Sequence, residues 1–287
     1  MPFFKRRDAA PKKDWYRDAS EDARREYDAF GPWVYEVLEA RDLPPRFRAV
    51  FGPWGGSDLV LKIPVDVERR NARPGQDLYR QVLEIKGDTL RSLSLADERV
   101  EERSVSIAAL QALTLYQVLL LGTFSAVTPD SEFGFLFNTV SSPLVRRFVD
   151  LLRERVAPAG QPPLGSSLPV KNFFFQNLVR EHQRHNPATR VVYCDEPGQK
   201  MKDERGRSRR GLGVLVLQTG SELLVLDAGT PWRRAGRAVY GSRCVFVPKK
   251  SWTSLALKPA ELRLSLPCLE LAFPLLDGPG ALAEILG

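Results

Sequence analysis

Two hydrophobic patterns follow one another in the first half of the chain. Apolar residues alternate with polar ones, or form short blocks, in DLVLKIPVDV from Asp58 and in LYRQVLEIKGDTLRSLSL from Leu78. A period of two is typical of strands, and the Gly87-Asp88 break between two apolar runs predicts a tight hairpin turn. Similar blocks continue up to the FGFLF segment, so this half is expected to form an antiparallel sheet.

The pattern becomes helical in SSPLVRRFVDLLRERV, which ends at Val156. Apolar residues recur there every three or four positions, at Leu144, Val145, Phe148, Val149, Leu151, Leu152 and Val156. Such a stripe predicts an amphipathic helix that packs on the preceding sheet. Ser142 is expected to be its N-cap and Pro143 its first helical residue.

The second half repeats this order of elements. After a Pro/Gly/Ser-rich stretch and a predicted helix that ends before Pro187, strand-like blocks resume, and the last residues read as a short apolar-faced helix. Phe273 precedes Pro279 by six residues, as Phe137 precedes Pro143. A tandem repeat of one kind of module accounts for this order of elements.

The predicted division of the chain has four parts. Residues 1–44 form an N-terminal arm or helical segment and residues 45–157 a first module. A linker and helix occupy residues 158–189, and a second module residues 190–287. The fold class is therefore mainly β (α+β): two small barrels or bent antiparallel sheets in tandem, each capped by a C-terminal helix.

Composition and charge narrow the class of protein. Hydrophobic residues make up 43% of the chain and charged residues 27%, which is typical of a globular protein. No apolar run approaches the roughly 20 residues of a membrane-spanning helix, and the start lacks the apolar core of a secretory signal. A cytoplasmic location is expected, with peripheral attachment at the membrane as an alternative. The net charge of +7 favours anionic partners.

Few residues suggest catalysis or metal binding. His182 and His185 are the only histidines, three apart on a predicted helix, and no further ligand is evident, so the favoured interpretation is a solvated helix end. Cys194, Cys244 and Cys268 lack metal-site spacing and are interpreted as reduced thiols. No Ser or Cys lies in a nucleophile motif with a base. The prediction is a non-enzymatic protein with no catalytic residues, metal or cofactor.

The strongest candidate site is the basic stretch QKMKDERGRSRRG. Its cations are Lys200, Lys202, Arg205, Arg207, Arg209 and Arg210, and Asp203 and Glu204 interrupt the run. Two interpretations are open: a solvated hairpin tip, or a surface that attracts anionic lipid. The stretch lacks interleaved aromatic residues, so nucleic acid is a less favoured partner.

The chain resembles the pleckstrin-homology-like (PH-like) superfamily, specifically its short bacterial members, and a bacterial family of unassigned function with tandem modules of this kind. The resembling stretches are VSIAALQALTLYQVLLLGTFSAV with FGFLFNTVSSPLVRRFVDLLRERV, and SELLVLDAG with YGSRCVFVPKKSWTSL, LELAFPLL and the terminal helix. In PH domains that bind phosphoinositides, a basic loop between the first two strands holds the headgroup. The resemblance implies that residues 200–210 occupy this loop in the second module.

Three functions are weighed on these grounds. The leading one is a binding or scaffold protein that recognises a protein partner or itself, through an exposed strand edge or the groove beside a capping helix. The second is peripheral attachment to anionic membranes through residues 200–210. The third is an enzyme or a nucleic-acid binder whose site lies between the modules.

Overall fold

The computed structural model describes residues 15–97, 99–157, 160, 165–195, 200–202, 208–210, 213–227, 232–234, 237–239, 241–258, 261–266 and 269–274. For residues 200–202, 208–210, 232–234, 237–239, 252–258, 261–266 and 269–274 the description covers the backbone alone.

An antiparallel sheet of five strands forms the first layer. Its strands follow chain order: β1 (Tyr35–Glu36), β2 (Leu59–Pro64), β3 (Tyr79–Lys86), β4 (Thr89–Ala96) and β5 (Arg99–Ser106). The β3–β4 turn is the hairpin predicted from the sequence, and Gly87 has a φ of +51° there, which glycine adopts readily. The hairpin prediction is confirmed.

The second layer is an antiparallel sheet of seven strands that joins the two halves of the chain. The first half contributes β6 (Ala112–Val118), β7 (Leu121–Val127) and β8 (Glu132–Asn138). The second half contributes β9 (Arg190–Asp195), β12 (Val214–Gln218), β13 (Glu222–Asp227) and β16 (Gly241–Pro248). The strand order is β8-β7-β6-β16-β13-β12-β9, with Leu115 of β6 opposite Cys244 of β16.

Three smaller β elements complete the described strands. One hairpin pairs β10 (Lys200–Lys202) with β11 (Ser208–Arg210), and another pairs β14 (Trp232–Arg234) with β15 (Arg237–Val239). A three-stranded sheet contains β17 (Leu255–Lys258), β18 (Glu261–Leu266) and β19 (Leu269–Pro274).

Four α-helices accompany these strands in the described part of the chain: α1 (Glu21–Ala29), α2 (Pro45–Phe51), α3 (Ser142–Val156) and α4 (Phe173–His185). Ser20 caps α1 as a good N-cap residue should, because its Oγ accepts from the Ala23 amide at 3.2 Å. The α4 helix ends before Pro187, as predicted, and Asn172 caps its start. No helix among the described residues combines the length and apolar character needed to cross a membrane.

Helix α3 begins differently from the prediction. Ser142 is its first residue, Pro143 follows, and neither Ser141 nor Ser142 caps it. Both hydroxyls serve long-range contacts instead: Ser141 Oγ accepts from the Val34 amide at 2.9 Å, and Ser142 Oγ accepts from the Gln117 side chain at 2.6 Å. The predicted Ser142 cap is therefore wrong, because tertiary partners take the groups that a local cap would use.

The apolar stripe of α3 packs as predicted and fills the space between the two sheets. Val145, Phe148, Val149 and Leu152 are buried in a cluster that includes the inward-facing residues of both sheets. The Phe148 ring lies 5.3 Å from the Phe124 ring on the seven-stranded sheet. Arg155 binds Asp58 at 3.0 Å at the five-stranded sheet, so α3 holds the two layers together.

The N-terminal region covers the outer face of the five-stranded sheet. Phe30, Phe47 and Phe51 are buried there against Val82 and Leu93. The sheet is therefore covered on both faces.

The fold is mainly β with helices, which confirms the coarse fold class. Among the described residues no sheet closes into a barrel, which corrects the barrel form of the prediction. The reason is that β6 pairs with β16 of the other half, while α3 separates its sheet from β1–β5. The predicted terminal helix lies outside the described residues.

Candidate functional site

The basic stretch forms the β10–β11 hairpin between β9 and β12. Lys200 and Lys202 lie on β10, and Arg209 and Arg210 lie on β11. The register places Lys200 opposite Arg210. Arg205 and Arg207 lie outside the described residues. Four of the six cations of the stretch thus lie on paired strands.

The two histidines have different environments. His182 is half-buried on α4, and its ring lies edge-on to the Phe246 ring at 6.5 Å. Burial, together with the positive charges of Arg153 and Arg146, lowers the pKa of His182 to about 4. His185 is exposed at the end of α4. His185 thus has the exposed position expected of a solvated helix end, whereas His182 is half-buried beside Phe246.

A groove of about 470 Å³ lies between α3, α4 and the seven-stranded sheet, beside His182. We call it the α3–α4 groove. Its apolar lining is Leu115, Val149, Leu151, Leu178, Leu226 and Phe246. The polar residues Gln117 and Ser242, together with Pro143, mark one end, where β6 and β16 meet the start of α3. This volume is within the range of protein sites that hold small ligands or anchor side chains.

Arg153 is a largely buried charged residue of this groove, with its side chain 21% exposed. It donates to Glu222 from Nε at 3.1 Å and from Nη2 at 2.5 Å, and to Asp150 at 2.8 Å. Its guanidinium also stacks 4.2 Å from the Phe246 ring centroid. Burial alone would lower the pKa of Arg153, but the bonds to Glu222 and the charge of Asp150 raise it. Arg153 therefore fixes α3 to β13 and stays charged.

Among the described residues, every arginine that lines the groove has an acidic partner. Besides Arg153, the pairs are Arg146–Glu181 at 2.5 Å, Arg147–Glu36 at 2.7 Å and Arg243–Asp227 at 2.5 Å. The Arg146–Glu181 pair links α3 to α4 across the groove. An uncharged ligand leaves these pairs intact, whereas a strongly charged one would compete with them.

Cys244 also lines the groove but is a poor nucleophile. Burial raises the pKa of its thiol to about 12, so the thiolate is scarce at neutral pH. Neither Cys194 nor Cys244 forms a disulfide within the described part of the chain, and Cys268 lies outside it. Within the described part of the chain, no three His, Cys, Asp or Glu residues lie close enough together to hold a metal.

Sequence reasoning named a groove beside a capping helix in general terms but did not identify these lining residues, because they come from α3, α4 and three strands that are distant in sequence. One signal was available: Phe175, Leu178, Val179 and His182 form a helical stripe on α4, which predicts that α4 packs on a surface. Nothing local indicates which surface it is.

Comparisons with known proteins add no relative. No family model, curated protein or solved structure matches this chain.

Proposed function

We propose that the protein is a non-enzymatic binding or scaffold module whose α3–α4 groove receives an apolar segment of a protein partner. One observation carries this proposal: the groove has an open apolar floor, and all its arginines are already ion-paired. Such a groove gains free energy from apolar side chains and little from added charge. A peptide with Leu, Phe or Met anchors is the expected class of ligand.

Peptide selection tests the proposal. A phage-displayed random peptide library is panned on the wild-type chain, and selected peptides are measured by fluorescence anisotropy. Leu178→Glu places a charge in the groove wall while keeping a good helix former. It should weaken selected peptides at least about tenfold, or 1.4 kcal/mol.

Phe173→Glu is the matched control, since it makes the same kind of change on α4 at a residue that is 70% exposed and outside the groove lining. It should leave the affinity unchanged. Failure to select any peptide, or equal binding to the Leu178→Glu variant, would reject the groove as the binding site.

The PH-like tandem is part of the same proposal. In its support, β2–β5 lie in one sheet and β6–β8 in the next, and in the second half β9, β12, β13 and β16 share a sheet before β17–β19 form another. Limited proteolysis with subtilisin should cut first between residues 157 and 169. The two fragments should stay associated because β6 pairs with β16. A first cut inside either strand series would contradict two modules.

Attachment to anionic membranes through residues 200–210 is the second candidate. It is favoured by the register that pairs Lys200 with Arg210, because this places the backbones of both ends of the stretch opposite each other. Flotation with anionic vesicles at low salt should be strong and should fall at high salt. No flotation at low salt, or equal flotation of a Lys200→Glu/Arg210→Glu variant, would reject it.

A further inference from the structure

Leu119 and Leu120 form the turn between β6 and β7, and Leu121 is the first residue of β7. Leu119, Leu120 and Leu121 are 75%, 69% and 55% exposed, and we call them the leucine tip. Leu119 has a φ of +52°, a left-handed conformation that is uncommon for any residue with a branched apolar side chain. Turns of this kind ordinarily use Gly, Asn or Asp, so three exposed leucines here indicate an interaction surface.

The backbone carbonyl groups of Leu119 and Leu120 already have hydrogen-bond partners within the chain. The Leu119 carbonyl accepts from the Thr139 hydroxyl at 2.9 Å, and the Leu120 carbonyl accepts from the Thr139 amide at 3.0 Å. A carbonyl buried without a partner costs free energy, and here both partners are internal. The tip can therefore enter an apolar site at little polar cost.

The leucine tip lies at one end of the α3–α4 groove. Gln117, two residues before Leu119, lines that end and pairs in register with Ser242. On the other side, Thr139 holds the tip and is followed by Pro143, which also lines the groove. A protruding apolar feature and a recessed apolar feature are thus adjacent on one surface of the molecule.

We propose that the leucine tip of one copy of this chain occupies the α3–α4 groove of a second copy, and that the exchange is reciprocal. This inference rests on the proposed function of the groove and names its occupant. Adjacent tip and groove are what a two-fold interface needs, since the same surface then supplies both sides of each contact. The tip carries no charge, so it leaves the ion pairs of Arg146 and Arg153 intact.

Sedimentation equilibrium of the full-length chain tests this dimer. The wild-type chain should dimerise at micromolar concentrations. Leu120→Asp in the tip and Leu178→Glu in the groove should each weaken the dimer at least about tenfold. Leu38→Asp is the matched control, because Leu38 is 69% exposed, as Leu120 is, and lies in the N-terminal region. It should leave the dimer unchanged.

Mixing the Leu120→Asp and Leu178→Glu variants tests whether the exchange is reciprocal. Each homodimer has no intact contact, whereas the mixed dimer keeps one: the Leu178→Glu chain supplies a normal tip and the Leu120→Asp chain a normal groove. An equimolar mixture should therefore dimerise more tightly than either variant alone. Circular dichroism of each variant should match that of the wild-type chain, which shows that the fold is kept.

Several outcomes overturn the inference: a wild-type monomer at all concentrations, a dimer that Leu120→Asp leaves unchanged, or no recovery on mixing. A monomer whose groove still selects library peptides overturns the dimer and leaves the proposed function standing. A monomer that floats with vesicles only when Leu120 is intact assigns the tip to membranes and also overturns the dimer.

Discussion

Helix α3 has two faces that meet apolar surroundings in different ways. On one face Val145, Phe148 and Leu152 are completely buried, and the rings of Phe124 and Phe135 fill the space around Phe148. On the other face Arg146, Asp150, Leu151 and Arg153 line an open groove. The helix is thus a structural plug on one side and the wall of a binding site on the other.

The difference shows where substitutions should affect stability and where they should affect binding. The filled face contributes dispersion and burial, so removing atoms there leaves a cavity. On the open face the charges are paired and the apolar floor is exposed. A ligand that buries this floor would therefore bind with a favourable free energy.

The largest effect is expected on the filled face. Phe148→Ala should lower the free energy of unfolding by about 3–5 kcal/mol, because the ring lies at 0% exposure between two sheets. Urea denaturation measures it. Phe173→Ala, at a residue that is 70% exposed, should change stability by no more than about 0.5 kcal/mol. Similar values for the two variants would mean that α3 does not hold the layers together.

A smaller effect is expected where the two faces meet, at Arg153. Arg153→Met leaves Glu222 buried without its partner and should cost about 2–4 kcal/mol, because the Arg153 and Glu222 side chains are only 21% and 9% exposed. The double variant Arg153→Met/Glu222→Met should recover at least half of this loss.

The control for Arg153 is a pair on the rim of the groove. Arg146→Met should cost less than about 1 kcal/mol, because Arg146 and Glu181 are 50% and 43% exposed. If Arg146→Met and Arg153→Met lowered the free energy of urea unfolding equally, the buried and exposed ion pairs would not differ as described.

The smallest of the three effects depends on pH. The folded chain holds the pKa of His182 at about 4, below its ordinary value of 6.5, so the unfolded chain binds the proton more tightly. The stability from the neutral ring is complete above pH 6.5 and is lost as pH falls toward 4. Relative to His182→Phe, the wild-type chain should lose about 1–2 kcal/mol of unfolding free energy between pH 7 and pH 5.

His185→Phe serves as the control, since His185 is exposed at the helix end. It should keep the wild-type pH dependence. A His182→Phe variant with the same pH dependence as the wild-type chain would show that His182 is solvated and that the α3–α4 groove is more open than described.

Local patterns in the sequence were enough to predict individual elements. The break at Gly87 predicted the β3–β4 hairpin, and the stripe from Leu144 to Val156 predicted α3 and its buried face. These predictions succeed because hydrogen bonding in hairpins and helices is between near neighbours, and periodicity reports which side is buried.

Features that depend on distant residues could not be predicted. Nothing in the alternation of β6 identifies β16 as its neighbour, and Ser141 looked like part of a helix start although it bonds Val34, 107 residues away. The candidate site is of this second kind, because its charge balance depends on pairs such as Arg153–Glu222. Residues 118–122 form an apolar run in the sequence, but only the structure shows that Leu119 and Leu120 are a turn between two strands.

The central claim is that partners bind in the α3–α4 groove, and histidine NMR tests it most directly because the chain has only two histidines. A peptide selected on the wild-type chain is added to the uniformly ¹⁵N-labelled protein, and the imidazole signals are followed. The account predicts that the signals of His182, and those of His185 at the exposed end of α4, both shift in proportion to bound peptide, because both residues line the groove. Saturating peptide that leaves the His182 signals unchanged would contradict it.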